Sequence, residues 1–302
     1  MQATATDSMQ LAEAYQQCMA IARQHYENFP TASHLIKADV RPAVAAIYAF
    51  ARHADDLADE GDLSAKTRLK QLDAWETLLE RAEKSQPVDQ PIFTALADAI
   101  RSHQLPVEEL YNLLIAFRMD VTLYAYASIS ELLFYCRHSA NPVGRLMLAL
   151  HDIHSTEAKH YSDRICTALQ LINFWQDLSI DLPRGRCYIP EEWLSPYQFE
   201  ARQLLAGEIS SQQFRPVFLH AIDVTRDILG EGVPLLPLLP LRLRFQIAAT
   251  LRAGFTLLDR LGQLEDPLHQ RLTLSRADWF KLAAGTLIDT LFPLRAIHRN
   301  RT

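Results

Sequence analysis

Two short acidic runs have a spacing that could do chemistry. In Arg52-His53-Ala54-Asp55-Asp56-Leu57-Ala58-Asp59, Asp55 and Asp59 are four residues apart, which on a helix sets them about 40° apart and one turn above the other. Arg52 precedes Asp55 by three and shares that face. Carboxylates one turn apart repel by roughly a few tenths of a kcal/mol on a wet helix, and by more in a partly dry cavity. A divalent cation removes that repulsion. Magnesium takes oxygen ligands and is commonly held by one or two carboxylates together with waters and substrate phosphates, and Arg52 could grip the same diphosphate. A solvated acidic helix end stopped by Gly61 would explain the same residues without any ligand.

The second run, Gln170-Leu171-Ile172-Asn173-Phe174-Trp175-Gln176-Asp177-Leu178-Ser179-Ile180-Asp181, sets Asn173, Asp177 and Asp181 at i, i+4 and i+8, with Gln170 one turn earlier. Four oxygen-bearing side chains then line one stripe of a helix whose other faces are apolar. Such a stripe needs polar company, because unpaired amides and carboxylates are costly to bury. A structural hydrogen-bond network would satisfy it, and so would metal ions with a phosphate. Two stripes in one chain favour the second. The basic turn Pro183-Arg184-Gly185-Arg186-Cys187-Tyr188-Ile189-Pro190 follows directly; its arginines also suit a helix C-terminus on dipole grounds alone.

The elements that must position these stripes read as helices throughout. Of 302 residues 49% are apolar and only 9 are Gly, and the apolar positions recur at three and four, which predicts an all-α single domain. Helices are expected over about 11–27, 41–60, 65–84, 91–103, 107–123, 129–150, 155–178, 200–206, 211–229, 241–263 and 276–291. Breaks fall at Pro30, 85–87, Pro106, 183–190 and the proline-spaced 232–241. That last segment reads as a loop or junction apolar enough to touch a membrane surface. A net charge of −6, with no dense basic run before the last few residues, argues against nucleic acid as partner. The four cysteines lack CxxC spacing, so neither a zinc site nor a disulfide framework is indicated. With no leader-like start and no membrane-length apolar run, a cytoplasmic protein is expected. The C-terminal Arg295, His298, Arg299 and Arg301 would favour an anionic inner-membrane surface or form a solvated tail.

Asp55-Asp56-Leu57-Ala58-Asp59, Asn173 through Asp181 and the Arg-Gly-Arg-x-Tyr turn, in that order, resemble the squalene and phytoene synthase family. Within it, His25-Tyr26-Glu27-Asn28-Phe29-Pro30 and Tyr135-Cys136-Arg137-His138-Ser139-Ala140-Asn141-Pro142-Val143-Gly144-Arg145 look like the bacterial hydroxysqualene synthase branch. The resemblance implies an isoprenoid synthase fold, with helices around a central cavity across which two Asp-rich motifs face each other. It implies metal ligation by Asp55, Asp59, Asn173, Asp177 and Asp181, and diphosphate contacts from Arg52, Gln170 and Arg271. His25, Asn28, Tyr48, His138 and Arg252 join the expected substrate-binding set, and Tyr135 and Asn141 the catalytic one. Two departures stand out: Gln176 where many members carry arginine, and Arg252 where many carry tyrosine. The implied reaction takes presqualene diphosphate to hydroxysqualene in squalene and hopanoid supply. A sister synthase would make the substrate and a downstream reductase would consume the product.

Ionising such a diphosphate needs divalent ions and arginines, not a nucleophile. Aromatic faces can stabilise the cation by about 0.5–2 kcal/mol each; Phe29, Tyr48, Phe50, Phe117, Tyr124, Tyr126, Phe174 and Trp175 are candidates, each also explicable as a core aromatic. Water capture to an alcohol needs magnesium but no NADPH. Asn28, Tyr135, His138 and Asn141 would position that water, with Pro142 bending its helix there. The alternatives are head-to-head condensation of two farnesyl diphosphates to presqualene diphosphate, squalene, dehydrosqualene or phytoene, and, in a different class, a non-catalytic scaffold.

Overall fold

Among the described residues the regular structure is helical, and Ser or Gln side chains cap the starts of several of the helices. A computed structural model of the protein describes residues 5–24 and 37–272, with side chains from residue 9. By its internal contacts the chain divides into two compact units. One takes residues up to Thr122 together with Arg145–His154, and the other takes Leu123–Gly144 and the chain from Ser155 onward.

The first unit contains α1 (Ala5–Gln24), α2 (Arg41–Asp59), α3 (Ala65–Glu83), α4 (Pro91–His103) and α5 (Val107–Thr122). Helix α2 is its centre, packed by α1, α3, α4 and α5. Small residues make that possible. Ala43, Ala45, Ala46, Ala49, Ala54 and Ala58 are buried along α2, so its neighbours approach closely. Phe50, fully buried, packs against both Trp75 and Phe93 with ring centroids 6.0 and 5.9 Å away, near the ordinary spacing of aromatic pairs. Ser64 caps α3 through the Thr67 amide, and Gln90 caps α4 ahead of Pro91 at its first position, as helix starts favour. Past the end of α2, Gly61 has φ +78°, a conformation open to glycine without strain. Arg68 donates to the carbonyls of Leu57, Glu60, Gly61 and Leu63 at 2.6–3.4 Å, satisfying groups that a helix C-terminus leaves over.

The second unit is organised on α8 (Thr156–Gln176), which packs against α6 (Ile129–Ser139), α12 (Ser211–Glu231) and α13 (Leu241–Gly262). Helix α7 (Asn141–Ala149) has its first turn in this unit. A Cβ on Gly144 would lie 2.4 Å from Ser162 Oγ and 2.6 Å from Cys166 Sγ, so α7 and α8 meet there with no room for a side chain. Short helices α9 (Leu178–Asp181), α10 (Glu191–Leu194) and α11 (Ala201–Leu205) complete it. Among the described residues the only strand-like pairing is an isolated bridge, Ala125 with Cys187. There the Cys187 amide donates to the Tyr124 carbonyl at 2.8 Å and ties the Arg-Gly-Arg turn to the segment before α6.

Three expectations need correction. The helix expected over 129–150 is interrupted at Ala140, which keeps helical dihedrals: α6 ends at Ser139 and α7 starts at Asn141, and Pro142 has no N–H for the His138 carbonyl. The helix expected to reach 178 closes at Gln176, with Asp177 as its cap and α9 following. The proline-spaced 232–241 segment is largely 3₁₀ helix, Val233–Leu238, with Val233, Leu235 and Leu236 buried and Leu238 and Leu241 exposed. The helix expected over 276–291 lies outside the described residues.

Candidate active site

Along α2, the face carrying Tyr48, Arg52, Asp55, Asp56 and Asp59 leaves the alanine-rich buried side and reaches solvent toward the helix end. Arg52 is the hub. Its Nη1 lies 3.2 Å from Asp55 Oδ2, and its Nη2 lies 2.5 Å from Asp56 Oδ1 and 2.9 Å from Glu60 Oε1. Asp55 of the expected pair thus belongs to a group with Asp56 and Glu60, which the Asp55–Asp59 spacing does not reveal. Burial holds the Tyr48 phenol above its ordinary pKa, with Arg52 lowering it and Asp55 and Asp56 adding to the rise. Tyr48 therefore stays protonated beside the acids. His53 packs at a tilt against Trp75, 4.2 Å between centroids, and burial lowers its pKa against a smaller rise from Asp56.

The second stripe keeps its register across the helix break. The Asp177 amide donates to the Asn173 carbonyl at 3.0 Å and the Asp181 amide to the Asp177 carbonyl at 2.8 Å, so the i, i+4, i+8 ladder persists. Asn173 is exposed, and Gln170, Asp177 and Asp181 are half-buried. Arg271, 94 residues on, donates from Nε to Asp177 Oδ1 at 2.6 Å and from Nη2 to Oδ2 at 3.3 Å. Gln176 donates to the Leu272 carbonyl at 3.2 Å. Buried Trp175 faces the other way and donates from Nε1 to Thr225 Oγ1 at 2.8 Å.

An aromatic cluster shares this unit. Phe174 and Tyr188 stack at 3.8 Å and 11°, and Tyr135 lies 5.8 Å from Phe174 and 6.2 Å from Tyr126. Tyr188, from the Arg-Gly-Arg-x-Tyr turn, was not among the expected aromatics. Of those that were, Phe50 and Trp175 are core residues, Tyr126 and Phe174 join this cluster, and Tyr124 is exposed. Asn141 is buried, and its Oδ1 accepts from the Thr167 hydroxyl at 2.9 Å, which secures α7 to α8. His138 Nδ1 lies 2.9 Å from the Phe134 carbonyl one turn back. Arg252 is half-buried on α13. His25 and Asn28 lie outside the described residues, as does Phe29.

The chain matches the pattern of the squalene/phytoene synthase family over residues 22–278. It belongs to that family. A hydroxysqualene synthase from Rhodopseudomonas palustris is 34% identical over 268 residues, 86% of this chain and 88% of the relative. A phytoene synthase from Mycobacterium tuberculosis is 30% identical over 230 residues, 76% and 75% of the two chains. The crystal structure of the squalene synthase HpnC from Alicyclobacillus acidocaldarius superposes with a TM-score of 0.79 at 32% identity, covering 85% of this chain and 96% of that one. The fold is therefore the all-α isoprenoid synthase fold, and the chain is an enzyme of a family that acts on prenyl diphosphates.

Among the described residues no three His, Cys, Asp or Glu side chains converge as a ready metal cage. The residues still fit a hard divalent cation, which needs only one or two carboxylates when phosphate and water complete its shell. In both acidic groups an arginine guanidinium, Arg52 or Arg271, stands against the carboxylates as a cation would.

Proposed function

We propose that the protein converts presqualene diphosphate to hydroxysqualene, with magnesium, as a single catalytic domain. What supports this is the Asn173–Asp177–Asp181 ladder, linked by backbone hydrogen bonds across the junction of α8 and α9, beside Phe174, which stacks on Tyr188 of the following turn. Phe174 adjoins Asn173 in sequence, so one face of the aromatic stack comes from the helix that carries the proposed anion-binding residues. The similarity to hydroxysqualene synthases argues for the same step.

Asp55 and Asp59 in the first group, and Asn173, Asp177 and Asp181 in the second, are the proposed metal ligands. Bound magnesium would supply the positive charge that neutralises the departing diphosphate. Arg52, Gln170, Arg252 and Arg271 contact that diphosphate, and Tyr48, His25, Asn28 and His138 complete the substrate contacts. The carbon–oxygen bond breaks with its electron pair leaving on pyrophosphate. Tyr135, Phe174 and Tyr188 offer π faces to the cation left behind. Water adds through its oxygen and passes one proton to the released pyrophosphate, with Tyr135 and Asn141 orienting it; the Asn141 oxygen itself accepts from Thr167. No electrons are gained, so NADPH is not required.

The hydrophobic substrate would come from a presqualene diphosphate synthase and the alcohol would pass to a reductase. Among the described residues no helix is long and apolar enough to cross a membrane, and the exposed Leu238 and Leu241 suit a cytoplasmic enzyme touching the inner membrane peripherally. The similarity to phytoene synthases favours one second reading, condensation of two farnesyl diphosphates. Product analysis separates the two. With magnesium and no nicotinamide, presqualene diphosphate should yield the alcohol and farnesyl diphosphate should be left unchanged; conversion of farnesyl diphosphate to a thirty-carbon product would favour condensation instead.

A further inference from the structure

Arg271 reaches Asp177 on a segment fixed at both ends. At its start, the Asp266 carboxylate accepts from the Ser211 hydroxyl at the head of α12 and lies 2.8 Å from His269 Nδ1. At its finish, Gln176 donates to the Leu272 carbonyl. Between these anchors, Arg271 takes both oxygens of Asp177 in the forked geometry that guanidinium and carboxylate share. The first acidic group has the same feature: Arg52 lies against Asp55, Asp56 and Glu60.

We propose that Arg271 is a displaceable counter-ion of Asp177, yielding the carboxylate to a divalent ion and moving to diphosphate oxygens, so that metal and diphosphate bind cooperatively. This rests on Asp177 being a metal ligand, as read above. A dication arriving alone must break a two-point ion pair and deprive the guanidinium of that partner. A diphosphate offers that guanidinium an equivalent two-point partner, so the obstacle to the metal disappears when both ligands are present. Linkage makes the effect reciprocal: each ligand raises the affinity of the other by the same factor. Arg271 is 54% and Asp177 31% exposed, so the pair is weak and readily exchanged, and the factor set by this pair is about two- to fivefold.

The test uses the full chain, wild type and the variants Arg271→Gln, Arg271→Lys and Asp177→Asn, with circular dichroism confirming the helical fold. Mn²⁺ binding is followed by electron paramagnetic resonance in the absence of phosphate. Separately, the thermal midpoint is measured with Mg²⁺, with inorganic pyrophosphate and with both. Arg271→Gln should bind Mn²⁺ about two- to fivefold more tightly than wild type, and its midpoint rise with both ligands should shrink toward the sum of the separate rises. Arg271→Lys, which keeps the charge, should retain part of the synergy. Unchanged or weaker Mn²⁺ binding by Arg271→Gln, or full synergy in it, overturns the exchange while leaving Asp177 a ligand if Asp177→Asn loses a site. Absence of Mn²⁺ binding by wild type, with or without pyrophosphate, overturns both.

Discussion

At the scale of single residues, the second acidic stripe is supported from behind by buried hydrogen bonds. Trp175 donates to Thr225, whose own hydroxyl donates to the Ala221 carbonyl at 2.7 Å. Thr225→Val keeps the shape but leaves a buried indole N–H without an acceptor, so it should destabilise the protein by about 1–3 kcal/mol, read as a shift in the urea midpoint with unchanged slope. On α1, Tyr15 donates to Asp98 at 2.9 Å, and burial, with that acceptor, pushes the phenol pKa well up. A raised folded pKa means the contribution is fully present below the unfolded value of about 10 and is lost as pH rises through the folded one. Tyr15→Phe should therefore cost about 1 kcal/mol at pH 8, and the difference from wild type should narrow under strongly alkaline unfolding. The aspartates were legible from spacing because a helix turns i+4 onto one face. Their arginine partners were not: Arg271 is 94 residues from Asp177, and no local period encodes that pairing.

At the scale of elements, glycine positions separate packing from propensity. A Cβ at Gly232 would lie 2.4 Å from Ile165 Cγ1 and 3.2 Å from two backbone atoms of α8, whereas one at Gly230 meets nothing within 4 Å. Gly232→Ala should destabilise by about 1–3 kcal/mol through overpacking. Gly230→Ala, inside α12, should be neutral or stabilise by up to about 1 kcal/mol; thermal melts of the two variants give the comparison. Helix α2 was readable almost to the residue because its alanines, Gly61 and Pro42 mark both face and ends. The interruption at Ala140 is less legible, since a proline in a long apolar pattern signals a kink as readily as an end, and Asn141 and Gly144 then seat α7 against α8.

At the scale of the whole molecule, all four cysteines are free. Burial pushes Cys136 up to about 12 and Cys18 and Cys187 up to about 11, and since the thiolate is the reactive form, native protein at pH 8 should show at most one fast thiol, Cys166. Three fast thiols in the native protein would contradict that burial. The all-α class was legible from composition because so few glycines and so regular an apolar period leave little room for sheets. Family membership followed from motif order, which no single stripe provides. The central claim, that the two carboxylate groups hold divalent ions which draw off pyrophosphate, is tested most directly by pyrophosphate release from presqualene diphosphate under a magnesium titration. Asp55→Asn and Asp177→Asn should each lower turnover by about 10²–10³-fold, and chelation should stop the wild type. Wild-type rates in either variant, or release that continues under chelation, would contradict it.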